Sequence, residues 1–439
     1  MSNPLLLGVL GIAALIVIGA VLLMLPFARA GGGSAPPLVA FFTATSAVST
    51  TGLTLEVTAT YWTTFGQAVI CFLIFGGGLG LVTVVMFTLW LLGGRFSLRH
   101  RLITREALAA QQIGGLLRLL RNVMLVDIGI TVIGALASVP SFSRAYTPGV
   151  ALWQAFFHSV SSFNTAGFDI VGPTGFIAFR NDFLLLGVAI VEAVMGAIGF
   201  SALLEIPRAR RFSKLSLDTK LVLVTTLCID VVAILAVLAS ESLLGTTLRE
   251  FTAGGKVGQA AFNALSACTT TGYSTIDFSQ VTTQTLLVLT AAMFIGGATG
   301  STAGGIKVNT FGTIMAACFS ALKGRKDTEA FGRMIPADQV LRAVAVMVVS
   351  LFVLIGGIML ITASSPGIPV QQVVFEAESA MATTGLSTGA LLKFSVAGKI
   401  VTIFLMFIGR VAPLSVISIF ALRRRPSLIQ HPVSEIHMG

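Results

Sequence analysis

The stretch PPLVAFFTATSAVSTTGLT, residues 36–54, recurs in altered form three more times along the chain. The other copies are TPGVALWQAFFHSVSSFNTAGFD (147–169), GKVGQAAFNALSACTTTGYST (255–275) and IPVQQVVFEAESAMATTGLST (368–388). Aligned on a glycine near the end, all four share that glycine, a Thr two residues before it, a Ser six before it and a Phe ten before it. The shared residues are Gly52, Gly167, Gly272, Gly385; Thr50, Thr165, Thr270, Thr383; Ser46, Ser161, Ser266, Ser379; Phe42, Phe157, Phe262, Phe375. This agreement predicts one structural unit used four times.

The composition places these copies in a membrane. Of 439 residues, 55% are hydrophobic and 10% are charged, and the mean hydropathy is +0.93. Ordinary soluble domains carry about 25% charged residues, so a soluble enzyme, a disordered protein and a nucleic-acid-binding protein are excluded. The net charge of +10 then indicates basic cytoplasmic loops. The four cysteines lack C-x-x-C spacing and are interpreted as buried thiols, neither disulfide-bonded nor metal-ligating: Cys71, Cys228, Cys268 and Cys318.

Eight apolar runs are long enough for spanning helices, which need about 20 residues. They cover 4–27, 63–92, 122–140, 183–206, 221–244, 285–322, 340–363 and 398–422. Most of the 28 Lys and Arg residues follow the even-numbered runs. Because basic residues favour the cytoplasmic side, we expect a multi-pass protein with both termini in the cytoplasm.

Each copy of the repeated stretch lies between an odd-numbered span and the next span and is too short to cross. The predicted fold is an all-α membrane protein with eight transmembrane helices and four re-entrant half-helices, in four pseudo-repeats around a central pore. All repeats share one orientation, which disfavours the inverted repeats of secondary transporters. The predicted repeats cover 1–95, 96–210 with a basic linker at its start, 211–325 with a glycine-rich intramembrane loop, and 326–439 with a short C-terminal tail.

The loop after each half-helix is the candidate ion site. Non-helical backbone inside a membrane must line an aqueous path or be buried in protein, and rings of carbonyls replace the hydration shell of an alkali cation. Glycine allows the positive φ that such a loop needs, and no carboxylate stands at the aligned positions, which favours a monovalent ion. The predicted ion-binding residues are Thr50, Thr51, Gly52, Asn164, Thr165, Ala166, Gly167, Thr270, Thr271, Gly272, Thr383, Thr384 and Gly385. The alternative is that Thr and Gly only pack helices together.

A second landmark is the segment GGATGSTAGGIK, residues 296–307, inside the sixth apolar run. Each glycine costs a helix about 1 kcal/mol relative to alanine, so the segment is predicted to break into a loop below the filter. Arg410 lies inside the eighth run, where a charge is expensive and usually functional. Lys307 and Arg410 alternatively cap helix ends or bind loop carbonyls. The candidate gate residues are Gly296, Gly297, Gly300, Gly304, Gly305, Lys307 and Arg410.

Four span–half-helix–span units with a Thr-x-Gly loop in each resemble the Trk/Ktr/HKT superfamily of cation transporters, most closely the membrane subunits of bacterial Ktr potassium uptake systems. The resemblance covers essentially the whole chain. It implies potassium as the transported ion, with sodium possible as a coupling or transported ion, and no organic cofactor. Gly52 favours potassium, because a serine there is associated with sodium preference in that superfamily. Asn164 departs from the Ser or Thr of the first and third copies and Ala166 from the Thr of the other three, so the ring is only approximately four-fold.

The resemblance also implies how transport is controlled. The glycine-rich segment corresponds to an intramembrane gating loop, and Arg410 to an arginine that restricts flow or holds that loop. It further implies a homodimer on a ring of cytosolic nucleotide-binding regulatory subunits, in a bacterial cell membrane. This chain itself has no nucleotide-binding motif, and contacts with lipids but not with nucleic acid are expected.

Three other functions stay open at this stage. The main alternative is a sodium-selective or non-selective monovalent cation transporter of the same superfamily. A secondary transporter of an organic solute or an intramembrane enzyme is disfavoured, since no paired catalytic residues recur. Among other embedded charges, Glu192 and Asp230 are expected to pair with polar groups or line the pathway, Asp127 to form a salt bridge near Arg118 and Arg121, and Glu376 and Glu378 to open the fourth half-helix.

Overall fold

The computed structural model describes residues 4–79 and 116–422, with side chains at 8–79 and 121–411. Nearly all regular structure in these ranges is helical. The α-helices are α1 Pro4–Leu23, α2 Pro37–Val48, α3 Thr58–Tyr61, α4 Thr64–Gly78, α5 Leu116–Phe142, α6 Pro148–Phe163, α7 Phe183–Ile198, α8 Phe200–Ala209, α9 Leu217–Leu243, α10 Ala253–Cys268, α11 Thr283–Phe294, α12 Val308–Leu322, α13 Ala337–Ser364, α14 Val370–Met381 and α15 Val396–Leu422. Short 3-10 helices lie at Gly175–Phe179, Phe212–Lys214 and Ala390–Lys393.

Several spans match the predicted membrane architecture. In the described part, Arg121–Phe142, Leu217–Leu243 and Ala337–Ser364 are each long and apolar enough to cross a membrane. The second half of the second predicted span (80–92), its following basic residues, the repeat boundary at 95 and the tail at 426–439 lie outside the described residues. The predicted break in the sixth span is present, since α11 ends at Phe294 and α12 begins at Val308.

The sequence predicted one continuous span for the fourth apolar run, but the structure divides this run into two helices. Helix α7 ends at Ile198, and α8 leaves it at an angle of 96°. Gly199 forms the corner with φ 93° and ψ 145°, a conformation that residues with a Cβ rarely adopt. An apolar run alone does not reveal a bend, because both helices stay apolar through it.

A two-stranded hairpin was not predicted either. Strand β1, Thr328–Ala330, pairs antiparallel with β2, Arg333–Ile335. Phe331 and Gly332 join the strands, and both have positive φ, as a type I′ turn requires. The hairpin lies in the connection between α12 and α13 and leaves the helical character of the fold unchanged.

The four predicted half-helices are α2, α6, α10 and α14. They contain 12, 16, 16 and 12 residues, about 18–24 Å at 1.5 Å per residue, too short for a hydrocarbon core of about 30 Å. Helix α2 packs against α1 and α4, α6 against α5 and α7, α10 against α9 and α11, and α14 against α13 and α15. The aligned Phe residues anchor this packing, since Phe42, Phe157 and Phe375 are wholly buried and Phe262 nearly so.

The four units also contact one another in a closed circuit. Helix α4 contacts α6, α7 contacts α10, α11 contacts α14, and α15 contacts α2. The fourth unit therefore returns to the first. This arrangement brings the carboxyl ends of the half-helices to one place.

Three sequence predictions about single residues are wrong. Cys228 and Cys318 are exposed on the surface of the chain, unlike Cys71 and Cys268, because apolar neighbours on a membrane helix need not mean burial. Glu376 and Glu378 lie in the second half of α14, since that helix begins at Val370. Both are buried.

Asp127 was expected to form a salt bridge near Arg118 and Arg121. It is wholly buried in α5, and its carboxylate accepts a hydrogen bond from the Thr131 hydroxyl at 3.4 Å. Within the described side chains it makes no salt bridge; that of Arg118 lies outside them. The other embedded acids contact polar groups, as predicted: Ser159 donates to Glu192, and Asp230 contacts the Cys268 thiol.

Candidate functional site

Each half-helix ends in the same backbone motif. The aligned threonines, which directly follow the helix caps, have φ of 55°, 50°, 54° and 51°: Thr50, Thr165, Thr270 and Thr383. The N–H of the next residue donates to the carbonyl of the aligned serine five residues earlier, at 2.8–2.9 Å: Thr51 to Ser46, Ala166 to Ser161, Thr271 to Ser266 and Thr384 to Ser379. These are the bonds of a Schellman motif, in which glycine usually supplies the left-handed residue.

A β-branched residue in this conformation is strained, and such strain persists only where surrounding structure imposes it. The strain recurs at all four aligned positions. Two residues later in the motif, the aligned glycines also have positive φ, between 64° and 94°: Gly52, Gly167, Gly272 and Gly385. The two left-handed residues flank one ordinary residue, so the backbone reverses sharply while its polar groups stay free of regular helix bonding.

The four loops close into a ring. A methyl group placed on any one of the aligned glycines would lie 1.9–2.4 Å from a carbonyl oxygen of the next loop. The contacts run from Gly52 to Ala166, Gly167 to Thr271, Gly272 to Thr384 and Gly385 to Thr51. Only glycine fits each position, because a Cβ essentially never approaches another atom so closely. The predicted loop residues are therefore brought together, and each glycine faces the carbonyl before the next glycine.

The second copy departs from the first and third as its sequence suggested. In the first and third loops, a hydroxyl pair links Ser49 to Thr51 at 2.7 Å and Thr269 to Thr271 at 2.9 Å. Ala166 has no hydroxyl for such a pair. The Asn164 side chain instead donates to the Val160 carbonyl at 3.0 Å.

The glycine-rich segment lies directly against the threonine end of this ring. The Thr302 carbonyl accepts from the Thr50 hydroxyl at 3.4 Å, and its hydroxyl lies 3.4 Å from that of Thr165. Gly304 donates its N–H to the Thr270 hydroxyl at 2.8 Å. A methyl group on Gly304 would lie 2.0 Å from the Thr383 hydroxyl. The segment thus contacts the first residue of every loop.

Backbone bonds fold this segment into a compact loop. Gly296 donates to Ile306 at 3.0 Å, and a methyl on Gly296 would lie 2.0 Å from the Gly304 carbonyl. Gly300 and Gly305 have φ of 74° and 67°. Gly297 packs against the Ala303 methyl group. All five predicted glycines therefore meet either a close neighbour or a left-handed backbone.

The bent fourth span supports the same loop. Ala298 donates to the Ala197 carbonyl at 2.8 Å, and Phe200 donates to the Gly300 carbonyl at 3.0 Å. Sequence reasoning missed both the Gly199 corner and the central role of Thr302. The sequence feature that could have indicated the corner is the pair Gly196 and Gly199 within an apolar run.

Two cationic side chains bind the carbonyls of the loop. Arg410 donates to the Thr302 carbonyl at 2.6 Å and to Gly77 at 2.5 Å. The Lys307 ammonium donates to the Ala303 carbonyl at 2.5 Å. The positive groups thus lie beside the loop residues that contact the ring, and Arg410 joins the loop to the end of α4.

Lys307 also lines a cavity of ≈ 310 Å³. It is lined by α12, α13 and α14 and by the loop itself, including Lys307, Asn309, Ser350 and Glu378. The Glu378 carboxylate is buried there, and one of its oxygens has no hydrogen-bond partner among the described residues. The loop is therefore bordered by space as well as by the ring.

In three of the four copies, a glycine on the helix that follows the filter loop packs against the end of the half-helix. The last residues of α2, α6 and α14 are Val48, Phe163 and Met381, and their carbonyls would lie 1.9–2.0 Å from a methyl on Gly77, Gly196 and Gly409 respectively. Gly76 and Gly409 each lie 24 residues after the aligned glycine of their copy, a spacing that predicts Gly76 as the counterpart of Gly409, but Gly76 faces Leu15 instead. A one-residue shift in helix phase explains the error.

We expect Gly409→Ala to destabilise the protein by about 1–3 kcal/mol, the usual cost of overpacking. The added methyl would meet the Met381 carbonyl at 1.9 Å. Gly356→Ala is the matched control, since it is also a helical glycine but has no atom within 4 Å of the new methyl. Thermal unfolding in detergent measures both. Equal melting temperatures for the two variants would contradict the packing role.

Several known proteins are similar to this chain over most of its length. The family model described as "TrkH: Cation transport protein" matches residues 13–428. The "Ktr system potassium uptake protein B" of Bacillus subtilis is 36% identical over 98% of this chain and 95% of its own length. The "Potassium/sodium uptake protein NtpJ" of Enterococcus hirae is 33% identical over 98% of this chain and 96% of its own length.

A solved structure shares the fold. The crystal structure of the potassium transporter TrkH from Vibrio parahaemolyticus superposes with a TM-score of 0.75 and 19% identity, covering 97% of this chain and 86% of that one. The predicted superfamily resemblance is confirmed by these matches. The chain therefore belongs to the TrkH family of cation transport proteins, which are membrane transporters and not enzymes.

Proposed function

We propose that this protein takes up potassium through the ring formed by its four aligned loops, which acts as a selectivity filter. The observation that carries the proposal is ring closure, in which every aligned glycine faces the carbonyl oxygen of the next loop. A closed ring of backbone oxygens is the device that replaces the water around an alkali ion. The four repeats surround this filter as pore units.

The chemistry of the ring suits a monovalent cation. Its loops offer neutral carbonyl and hydroxyl oxygens, and no loop residue carries a carboxylate. The half-helices end at the ring, so their partial negative charges point at the ion. A divalent ion would need the stronger charge of acidic ligands.

The names of relatives support potassium as the main ion. Both the Bacillus relative and the Vibrio structure are named for potassium. A second candidate is a sodium-carrying or non-selective pathway, since the Enterococcus relative is named for both ions. The unequal second loop, with Ala166 in place of a threonine, favours this candidate as well.

The glycine-rich loop is proposed as the gate. Its contacts with the first residue of all four filter loops support a position across the proposed ion path. Arg410 and Lys307 hold its carbonyls in that position. The neighbouring cavity provides room for the loop to withdraw.

Control by a cytosolic nucleotide-binding ring and assembly as a homodimer are part of the same proposal. The Bacillus relative is named as one protein of a Ktr system. Basic residues at the end of α8 and in the connection after it, among them Arg208 and Lys214, suit docking on the cytoplasmic side. This orientation also places both termini in the cytoplasm.

Flux into proteoliposomes tests the proposal. Purified protein, with and without a cytosolic ring from a Ktr system, is assayed with potassium, rubidium and sodium. We expect potassium and rubidium to enter and sodium to enter poorly. Equal sodium flux would favour the second candidate, and no flux of any alkali ion under either condition would contradict the ion-uptake function.

A further inference from the structure

Three of the four half-helices carry a buried polar side chain nine residues before the aligned glycine. These residues are His158, Asn263 and Glu376, and the first copy has Thr43 at this place. All are buried. They differ in chemistry, since one is an imidazole, one an amide and one a carboxyl group, yet their contacts are alike.

Each of the three accepts a hydrogen bond from the backbone N–H of the third residue after the glycine. Ile170 donates to His158 Nε2 at 3.3 Å. Thr275 donates to Asn263 Oδ1 at 3.1 Å. Thr388 donates to Glu376 Oε1 at 2.8 Å. The stretch that leaves each filter loop is thereby tied to the half-helix that enters it.

Additional bonds fix the orientation of these acceptors. His158 Nδ1 lies 2.7 Å from the Gln154 carbonyl, so Nδ1 carries the proton and Nε2 is free to accept. Asn263 Nδ2 donates to the Thr275 hydroxyl at 2.7 Å.

Glu376 makes the densest set of contacts. Its Oε1 accepts from the Ser387 hydroxyl at 2.8 Å and from the Thr388 hydroxyl at 3.0 Å, in addition to the Thr388 N–H. Three hydrogen bonds to one oxygen thus hold Ser387 and Thr388 in place. The fourth loop is therefore the one most firmly tied.

The first copy lacks this tie. Within the described residues no hydrogen bond joins Thr43 to Leu55, the third residue after Gly52. Leu55 instead packs against an apolar cluster that includes Leu53 and Phe394. After the aligned glycine, three of the loops are thus held by a hydrogen bond to a half-helix side chain, and the first loop is held by apolar packing.

In a carbonyl ring that selects ions by the size of its cavity, selectivity depends on oxygens that keep their positions. The glycine of each loop is tied on one side by the Schellman motif and, in three copies, on the other side by the polar acceptor. We propose that His158, Asn263 and Glu376 are positioning residues that fix the outer end of the filter and thereby set its preference for potassium over sodium. This inference rests on the proposed filter function.

The test exchanges residues between copies. Glu376→Thr and Asn263→Thr give the fourth and third copies the residue of the first, which removes the acceptor. Glu376→Gln and His158→Asn keep an acceptor at the same place. We expect Asn263→Thr and Glu376→Thr to lower the ratio of rubidium to sodium flux by at least about fivefold, since each loses the hydrogen bond from the loop N–H. Glu376→Thr also loses the bonds from the Ser387 and Thr388 hydroxyls. In Glu376→Gln and His158→Asn, which keep an acceptor, this flux ratio should stay within about twofold of that of the unchanged protein, since the hydrogen bond from the loop N–H is preserved.

Thr43→Val is the matched control and should leave the ratio unchanged. If Glu376→Thr does not fold, Asn263→Thr decides the outcome. An unchanged ratio in the folded removing variants would overturn the inference, and so would an equal loss in Glu376→Gln, which would point to charge instead of position. These results differ from failure of the proposed function, in which the unchanged protein itself moves no rubidium.

Discussion

Replacing Gly52 by serine is expected to lower the ratio of potassium to sodium flux by about tenfold, equivalent to about 1.4 kcal/mol. The new Cβ would lie 2.4 Å from the Ala166 carbonyl oxygen, so that oxygen must move. Potassium gives up its hydration shell only where several oxygens stand at the right distance. Displacing one of them removes a potassium ligand and leaves the partly hydrated sodium ion less affected.

The control for this variant is Gly367→Ser. Gly367 has the same φ as Gly52, 88°, but no atom within 4 Å of an added methyl. It therefore shares the backbone strain of a serine in the left-handed region without the clash in the ring. Potassium and sodium flux into proteoliposomes should separate the two variants. A Gly52→Ser protein with the selectivity of the Gly367→Ser protein would show that the clash does not matter.

Because the four loops are equivalent in the ring, we expect a serine at the aligned glycine of another copy to lower selectivity as well. Gly385→Ser would bring a Cβ to 2.1 Å from the Thr51 carbonyl, across the junction between the last and first units. If the four loops form one filter, this variant loses selectivity as Gly52→Ser does. An effect confined to one copy would mean that the loops act separately.

The repeated stretch carried enough information to predict the half-helices and the glycine conformation. A Gly matched in four copies must do something that other residues cannot, and Gly52 has φ 88°. Thr50 was beyond such reasoning, because a β-branched residue is a poor choice for φ 55° and only contacts within the assembled ring impose it. Sequence reasoning finds positions where the residue suits the conformation and misses those where tertiary contacts override it.

Helix phase and burial were the other limits. The bend at Gly199 leaves no mark in an apolar run, since both of its arms stay apolar. Cys318 was predicted to be buried because its neighbours are apolar, but Phe319 and Leu322 beside it are also exposed. In a membrane protein the outer surface is as apolar as the core, so hydrophobicity alone cannot assign a side chain to either.

Replacing Arg410 by alanine is expected to raise potassium flux about tenfold to a hundredfold. Arg410 binds the Thr302 and Gly77 carbonyls, and a hydrogen bond to a charged group contributes about 1.5–3 kcal/mol. If that energy favours the closed position of the loop, its loss shifts the equilibrium towards the open position by the same factor. The missing positive charge also lowers the barrier to an incoming cation, so both effects act in one direction.

Two further variants separate the hydrogen bonds of Arg410, which clamp the loop to α4, from its positive charge. Arg410→Gln removes the charge and keeps a donor, whereas Arg410→Lys keeps the charge and loses the forked geometry that reaches two carbonyls. High flux in the lysine variant with low flux in the glutamine variant means that the clamp closes the gate, and the reverse means that charge does. Arg342→Ala is the control, because Arg342 lines the same cavity but is paired with Asp338. Unchanged flux in a folded Arg410→Ala protein would remove this residue from the gate.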